Sequence, residues 1–268
     1  MPATPVRGRD PARSALGLRG VLFDVDGVLT DSVSIHASAW KAALDPCLEA
    51  LPDSLPAWQR RPFDEIKDYL SLVDGQPRPD GVQAFLASRG LCLPEGRPGD
   101  RPGCDTVWAI AAAKEAAFHS ALAERPVKAF PDVEPVLAAL RAWGVKCAAI
   151  SSSRHANDLL ISAGIHGLLD TVVDGAEAAR LRLAGKPDPR LLLEGARRLH
   201  VHPPQAAVAE DSPAGVEAGM RAGCALVAGI NRESSHERAV RLYTHGADVV
   251  VHDLAGLLRA GVGRWEGP

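Results

Sequence analysis

The chain has 268 residues, 46% hydrophobic and 24% charged, with 30 Lys and Arg against 33 Asp and Glu for a formal net charge of −3. That length suits one large domain or a core with a smaller insert, and the near balance of charge removes the electrostatic case for nucleic acid or an anionic membrane as partner. No apolar run approaches a membrane span and the first residues lack a hydrophobic signal segment, so a cytoplasmic protein, expected as a monomer, is the reading.

In chain order, residues 1–19 read as a loose N-terminal tail. Gly20 then opens GVLFDVD, an apolar run with the character of a buried strand. The texture changes over residues 33–125. Helical spacing recurs in SIHASAWKAAL, DGVQAFLASRG and TVWAIAAAKEAAFHSALAE, with the Gly/Pro-rich loop LPEGRPGDRPG between the last two. An inserted helical cap is expected there, leaving and re-entering the core at two crossings able to act as a hinge.

From residue 126 onward, short apolar runs alternate with helical stretches. The strands are VKCAAIS, TVVDG, AAVAED, CALVAGI and DVVV; the helices include RHANDLLISAG, closed by Gly164, and PRLLLEGARRLH, with Pro189 near its first turn. This alternation predicts an α/β fold: a Rossmann-like parallel-sheet core, built from residues 20–32 and 126–268, whose strands collect ligands at their carboxyl ends. The five cysteines, Cys47, Cys92, Cys104, Cys147 and Cys224, are odd in number and scattered without zinc-type spacing, so reduced thiols are expected.

Two acidic pairs end predicted strands. Asp24 and Asp26 close the first; an EF-hand would put its glycine at the sixth position, whereas Gly27 follows the second Asp at once. Buried there, the two carboxylates would repel and pay desolvation unless a cation or hydrogen bonds offset both, so the position asks for a metal. Glu210 and Asp211 end a second strand, before a helix with Ser212 as N-cap and Pro213 at its first position. Alone they would read as a solvated turn; with both strands parallel in one sheet, the four acids converge as an oxygen-rich site suited to Mg²⁺. Ser151, Ser152 and Ser153 end a third strand, either as a plain loop or as hydroxyls for phosphate oxygens. Lys186, just before a helix, is either a surface lysine or a cation for phosphate and carboxylate.

In this order, DVDGVLTDS, a strand ending in Ser, a Lys before a helix and a strand ending in Glu-Asp, the chain from Gly20 onward resembles the haloacid dehalogenase superfamily, and most closely its β-phosphoglucomutase-like branch. The resemblance implies that Asp24 is a nucleophile forming an aspartyl phosphate and Asp26 the general acid and base. It further implies Mg²⁺ on Asp24, the Asp26 carbonyl, Asp211 and Glu210, with Ser151 and Lys186 holding the transferred phosphoryl group. In DVDGVLTDSVSIHASAWKAAL it assigns His36 to the substrate. In the cap it assigns Arg78, three residues after Gly75, to a distal phosphate, and more weakly Lys114. Ser153 and Arg154 fall where family members contact phosphate, although His155 stands in place of a common Asn. The implied activity is interconversion of β-glucose 1-phosphate and glucose 6-phosphate, primed by a sugar bisphosphate. The alternatives are a Mg²⁺-dependent phosphatase of hexose or trehalose phosphate and a catalytically silent sugar-phosphate binding module.

Overall fold

The computed structural model describes residues 17–124 and 127–259. Most of the expected tail, and the expected return from the cap at residue 126, lie outside these residues. The chain divides into two compact units, one of Met1–Asp31 with Val127–Pro268 and one of Ser32–Pro126.

The first unit is a six-stranded sheet of β1 (Gly20–Phe23), β2 (Lys146–Ile150), β3 (Thr171–Val173), β4 (Ala206–Glu210), β5 (Leu226–Ile230) and β6 (Val249–Val251). The strand order is β3-β2-β1-β4-β5-β6 and every pairing is parallel. Each strand coincides with one of the apolar runs, because a strand covered on both faces must be apolar on both. β1 lies at the switch in strand order. Phe23 pairs with Ala149 on one side and Ala209 on the other, so the residues after β1, β2 and β4 emerge side by side.

Leu22, Ile150, Val208 and Val227 are fully buried on this sheet, each contributing about 1.5–3 kcal/mol by leaving water. α8 (Arg190–Arg198) starts after Pro189, and α9 (Pro213–Ala222) is capped by the Ser212 side chain, which accepts from Gly215 N. The other helices of this unit are α5 (Val133–Ala142), α6 (Ala156–Ser162), α7 (Gly175–Leu181), α10 (His236–Thr244) and α11 (Leu254–Leu257).

The second unit is helical: α1 (Val33–Glu49), α2 (Ala57–Arg60), α3 (Arg78–Ser88) and α4 (Val107–Glu124), with a π turn at Tyr69–Val73. Its core gathers Trp40, Leu44, Phe63, Phe85 and Ile110. Buried Arg89 donates to Asp68 at 2.8 Å and to the carbonyls of Trp58 and Arg61, tying the irregular segment to α3.

The expectation of reduced cysteines is corrected at one pair. Cys47 on α1 and Cys104 in the loop before α4 form a disulfide with Cα atoms 5.3 Å apart. The Gly/Pro-rich loop brings the two together across 57 residues, a proximity that spacing alone does not display. Cys92, Cys147 and Cys224 take no part in this bridge. Among the described residues no helix is long and apolar enough to cross a membrane.

Candidate active site

Asp24 is the first residue past β1, and its N–H still donates to Ala209 O of the neighbouring β4 at 2.9 Å. The turn that follows is tight. Gly27 has φ 78°, in the left-handed region that favours glycine, and its N–H donates to Thr30 O at 2.9 Å. Val25 O accepts from Leu29 N, Thr30 N and Thr30 Oγ1. This turn carries Asp26, half-buried, three residues beyond the strand.

Lys186 joins the motifs. Its Nζ donates to Asp24 Oδ1 at 2.5 Å, to Ile150 O at 3.3 Å, and to Glu210 Oε1. The other Glu210 oxygen accepts from the N–H and the hydroxyl of Ser212, each at 2.9 Å. Gly215 makes room for this carboxylate: a Cβ there would stand 1.7 Å from Glu210 Oε1. Asp211 accepts from Arg238 Nη2 at 2.7 Å through Oδ2 and at 3.1 Å through its carbonyl. One oxygen from each of Asp24, Glu210 and Asp211 lies within 4.8 Å of the others.

The electrostatics follow from this crowding. Burial pushes the Asp24 carboxyl well above the usual carboxylate range; Lys186 opposes that push, while Glu210 and Asp26 add to it. Burial disfavours the Lys186 ammonium, but Asp24 and Glu210 outweigh it and hold its pKa above that of an ordinary lysine. Three carboxylates thus face Lys186 and Arg238, and an added cation would relieve their repulsion. The donors are all hard oxygens, the chemistry that Mg²⁺ takes, so the residues present fit such an ion.

Ser151 follows β2 and is buried; its Oγ accepts from Ser153 N at 3.0 Å. Ser153 Oγ accepts from His155 N at 3.2 Å, and Arg154 is exposed. The structure therefore brings together Asp24, Lys186, Glu210 and Asp211, with Ser151 one residue past the Ile150 carbonyl that Lys186 reaches.

His36, Arg78 and Lys114 belong to the helical unit. Lys114 Nζ is 2.8 Å from His36 Nδ1 and 4.5 Å from the Phe118 ring centroid, and His36 stacks on Phe118 at 4.2 Å. Arg78, the first residue of α3, pairs with Glu115 of α4. Arg238 escaped the sequence reasoning: it lies 27 residues from Asp211 in a polar helix start, and no spacing rule singles it out.

A family model of haloacid dehalogenase-like hydrolases matches residues 18–223. The β-phosphoglucomutase of Mycobacterium bovis is 40% identical over 241 residues, 90% of this chain and 92% of that protein. Hexitol phosphatase A of Escherichia coli is 25% identical over 238 residues, 88% of this chain and 91% of that protein. A solved β-phosphoglucomutase from Clostridium difficile shares the fold with a TM-score of 0.66 at 20% identity, covering 92% of this chain and 97% of that one. On the family match and the 40% relative, with a sheet that ends in a buried lysine–carboxylate cluster, this chain belongs to the haloacid dehalogenase-like hydrolase family, in its β-phosphoglucomutase-like branch, and is an enzyme of that phosphotransferase and phosphatase superfamily.

Proposed function

We propose that this enzyme is a Mg²⁺-dependent phosphosugar mutase that interconverts β-glucose 1-phosphate and glucose 6-phosphate through a phosphorylated Asp24. The observation that carries the chemistry is Lys186 held between Asp24 and Glu210 at the ends of β1 and β4. The substrate class rests on the 40% identity to a β-phosphoglucomutase across 90% of the chain.

Asp24, the Asp26 carbonyl and Asp211 are the groups that would hold Mg²⁺, with Glu210 supporting them through Lys186 and Ser212. When bound, the ion supplies positive charge that offsets repulsion between carboxylate and phosphoryl oxygens. Asp24 Oδ attacks phosphorus as the phosphorus–oxygen bond to the sugar breaks, and the leaving oxygen takes a proton from Asp26. Lys186 and the Ser151 hydroxyl bind the phosphoryl oxygens, whose charge grows in the transition state. In the primed cycle the attack of Asp24 is preceded by the reverse transfer: Asp26 takes the proton of the other sugar hydroxyl while that oxygen attacks the phosphorus on phosphorylated Asp24 and frees the carboxylate, so the sugar carries two phosphates between the steps. Ser153 and Arg154 after β2, and His36, Arg78 and Lys114 of the helical unit, serve the phosphosugar. A sugar bisphosphate would prime the cycle by phosphorylating Asp24.

A second reading is a sugar-phosphate phosphatase, in which water takes the place of the hydroxyl. The likeness to a hexitol phosphatase over 88% of the chain favours it. The deciding experiment is ³¹P NMR with Mg²⁺ and β-glucose 1-phosphate, primed with glucose 1,6-bisphosphate. Glucose 6-phosphate is the expected product. Inorganic phosphate alone would make the enzyme a phosphatase, and Asp24→Asn should yield neither.

A further inference from the structure

The turn that carries Asp26 leaves three consecutive carbonyls, those of Gly27, Val28 and Leu29, outside its own hydrogen bonds. Phe130 N donates to Leu29 O at 3.2 Å. The other two are taken by a single side chain 204–205 residues along the chain: Arg232 donates from Nε to Gly27 O at 3.2 Å and from Nη2 to Val28 O at 2.6 Å. Its Nη1 donates to Asp132 Oδ1 at 3.0 Å, and its guanidinium lies 3.6 Å from the Phe130 ring centroid. Asp132 is fixed in turn, because its second oxygen accepts from Leu254 N at 2.7 Å. The Arg232 side chain is 17% exposed, so these bonds form in a largely water-excluded setting, where they are stronger than in solvent.

The guanidinium is suited to this place by shape. Its planar fork spans two adjacent carbonyls and a carboxylate at once while stacking on a ring; a lysine ammonium is a point charge on a flexible stem. The peptide planes it holds are Gly27–Val28 and Val28–Leu29, the second and third beyond the Asp26 α-carbon. Rotation of either would swing the Asp26 carboxyl, and Gly27, in the left-handed region, offers little steric resistance to rotation.

We propose that Arg232 is a positioning residue for Asp26, clamping the Gly27–Val28 turn so that the carboxyl is aimed at the leaving oxygen. The inference rests on the reading of Asp26 as the proton carrier of phosphoryl transfer. A residue that only tied β5 to the turn would affect every substrate alike. A residue that aims a proton donor matters in proportion to how badly the leaving group needs a proton.

The test compares Arg232→Ala and Arg232→Lys with wild type and Asp26→Asn on two phosphoryl donors, with Mg²⁺ present. β-Glucose 1-phosphate expels a basic sugar oxygen, whereas acetyl phosphate expels acetate, which needs no proton. Both Arg232 variants should lose about 30-fold or more in kcat for the sugar phosphate, with KM little changed, yet stay within about threefold of wild type in Asp24 phosphorylation by acetyl phosphate. Asp26→Asn should show the same pattern, and millimolar guanidinium should restore part of the sugar-phosphate rate to Arg232→Ala alone. Equal losses on the two donors, losses that follow the unfolded fraction seen by circular dichroism, or no loss at all would overturn the assignment. A wild-type chain inert toward both donors would instead remove the phosphotransferase reading on which it rests.

Discussion

Lys186 Nζ and Asp24 Oδ1 stand 2.5 Å apart although 162 residues separate them in the chain, and the same ammonium also serves Glu210. All three side chains are buried. Removing the lysine leaves two carboxylates facing each other without their shared cation. Breaking such a buried pair costs on the order of 3–5 kcal/mol. Lys186→Ala should therefore melt at lower temperature and form little phosphoenzyme, with added Mg²⁺ recovering stability more than activity. A melting point and a ³²P incorporation rate equal to wild type would show that the ammonium is dispensable.

Gly215 gives a sharper probe of the acidic cluster than deleting an acid. An alanine there would place Cβ 1.7 Å from Glu210 Oε1, so the carboxylate must move off Ser212 and Lys186. Mg²⁺ that binds only the folded wild type should raise its stability by about 2.7 kcal/mol at a concentration 100 times Kd. Gly215→Ala should lose most of that gain, measured by thermal melting with and without Mg²⁺. An undiminished gain would detach Glu210 from the metal's surroundings.

Arg78 pairs with Glu115 inside the helical unit, so a phosphate on its guanidinium would have to displace that carboxylate. A mutase needs a cation for the second phosphate, while hydrolysis of a small ester does not. Arg78→Ala is expected to lower isomerisation of β-glucose 1-phosphate by about tenfold or more and to raise the ratio of inorganic phosphate to glucose 6-phosphate. Both products are read by ³¹P NMR; an unchanged ratio would make the Arg78–Glu115 pair purely a link between α3 and α4.

The α7–α8 face carries a pH dependence of defined sign. Hydrogen bonds from Arg180 and Arg198 hold the Glu177 carboxyl down at about 2. Those from Arg197 and Arg198 do the same for Glu194 against a smaller opposing effect of burial. A depressed carboxyl pKa contributes stability that is present above its unfolded value, near 4.5, and is lost as pH falls from there toward about 2. Both ion pairs lie at the surface, with the Arg180 and Arg197 side chains 64% and 70% exposed, so solvent screens them and each effect is small. Glu177→Gln should lower Tm by a degree or two at pH 6 and by nothing near pH 2, a convergence that paired melting curves would reveal.

The Cys47–Cys104 bridge closes a loop with a sequence separation of 57, for which the chain-entropy model gives about 4 kcal/mol of stabilisation. Cys47→Ser, or reduction by dithiothreitol, should lower the melting temperature of the helical unit and increase proteolysis in the loop before α4. Identical melting of oxidised and reduced protein would show that packing of α1 on α4 suffices alone.

The strands were the most legible part of the sequence. AAVAE and LVAGI are apolar on both faces because both faces are covered, and that pattern is local. The gathering of Asp24 with Glu210 was readable for the same reason: each acid ends such a strand, and parallel neighbours end at one edge. What stayed hidden depends on contacts made far along the chain. Arg232 meets Gly27 and Val28, and Cys47 meets Cys104, only after folding, and nothing in either neighbourhood announces the partner. The π turn at Tyr69–Val73 and the short helix at Ala57–Arg60 were missed because neither is long enough to show a period.

The central position of β1 has a consequence for synthesis on the ribosome. Of the described strands GVLF is made first, yet it pairs with β2 on one side and with β4, which begins at Ala206, on the other. At about 5–20 residues per second, the interval between making Phe23 and making Ala206 is on the order of 10–40 s. Through that interval the second edge of β1 has no native partner, and Asp24 at its tip has neither Glu210 nor Asp211 beside it. The helical segment from 32 to 126, made wholly within this wait, can complete its own core first, whereas the sheet closes around β1 only after β4 has been made.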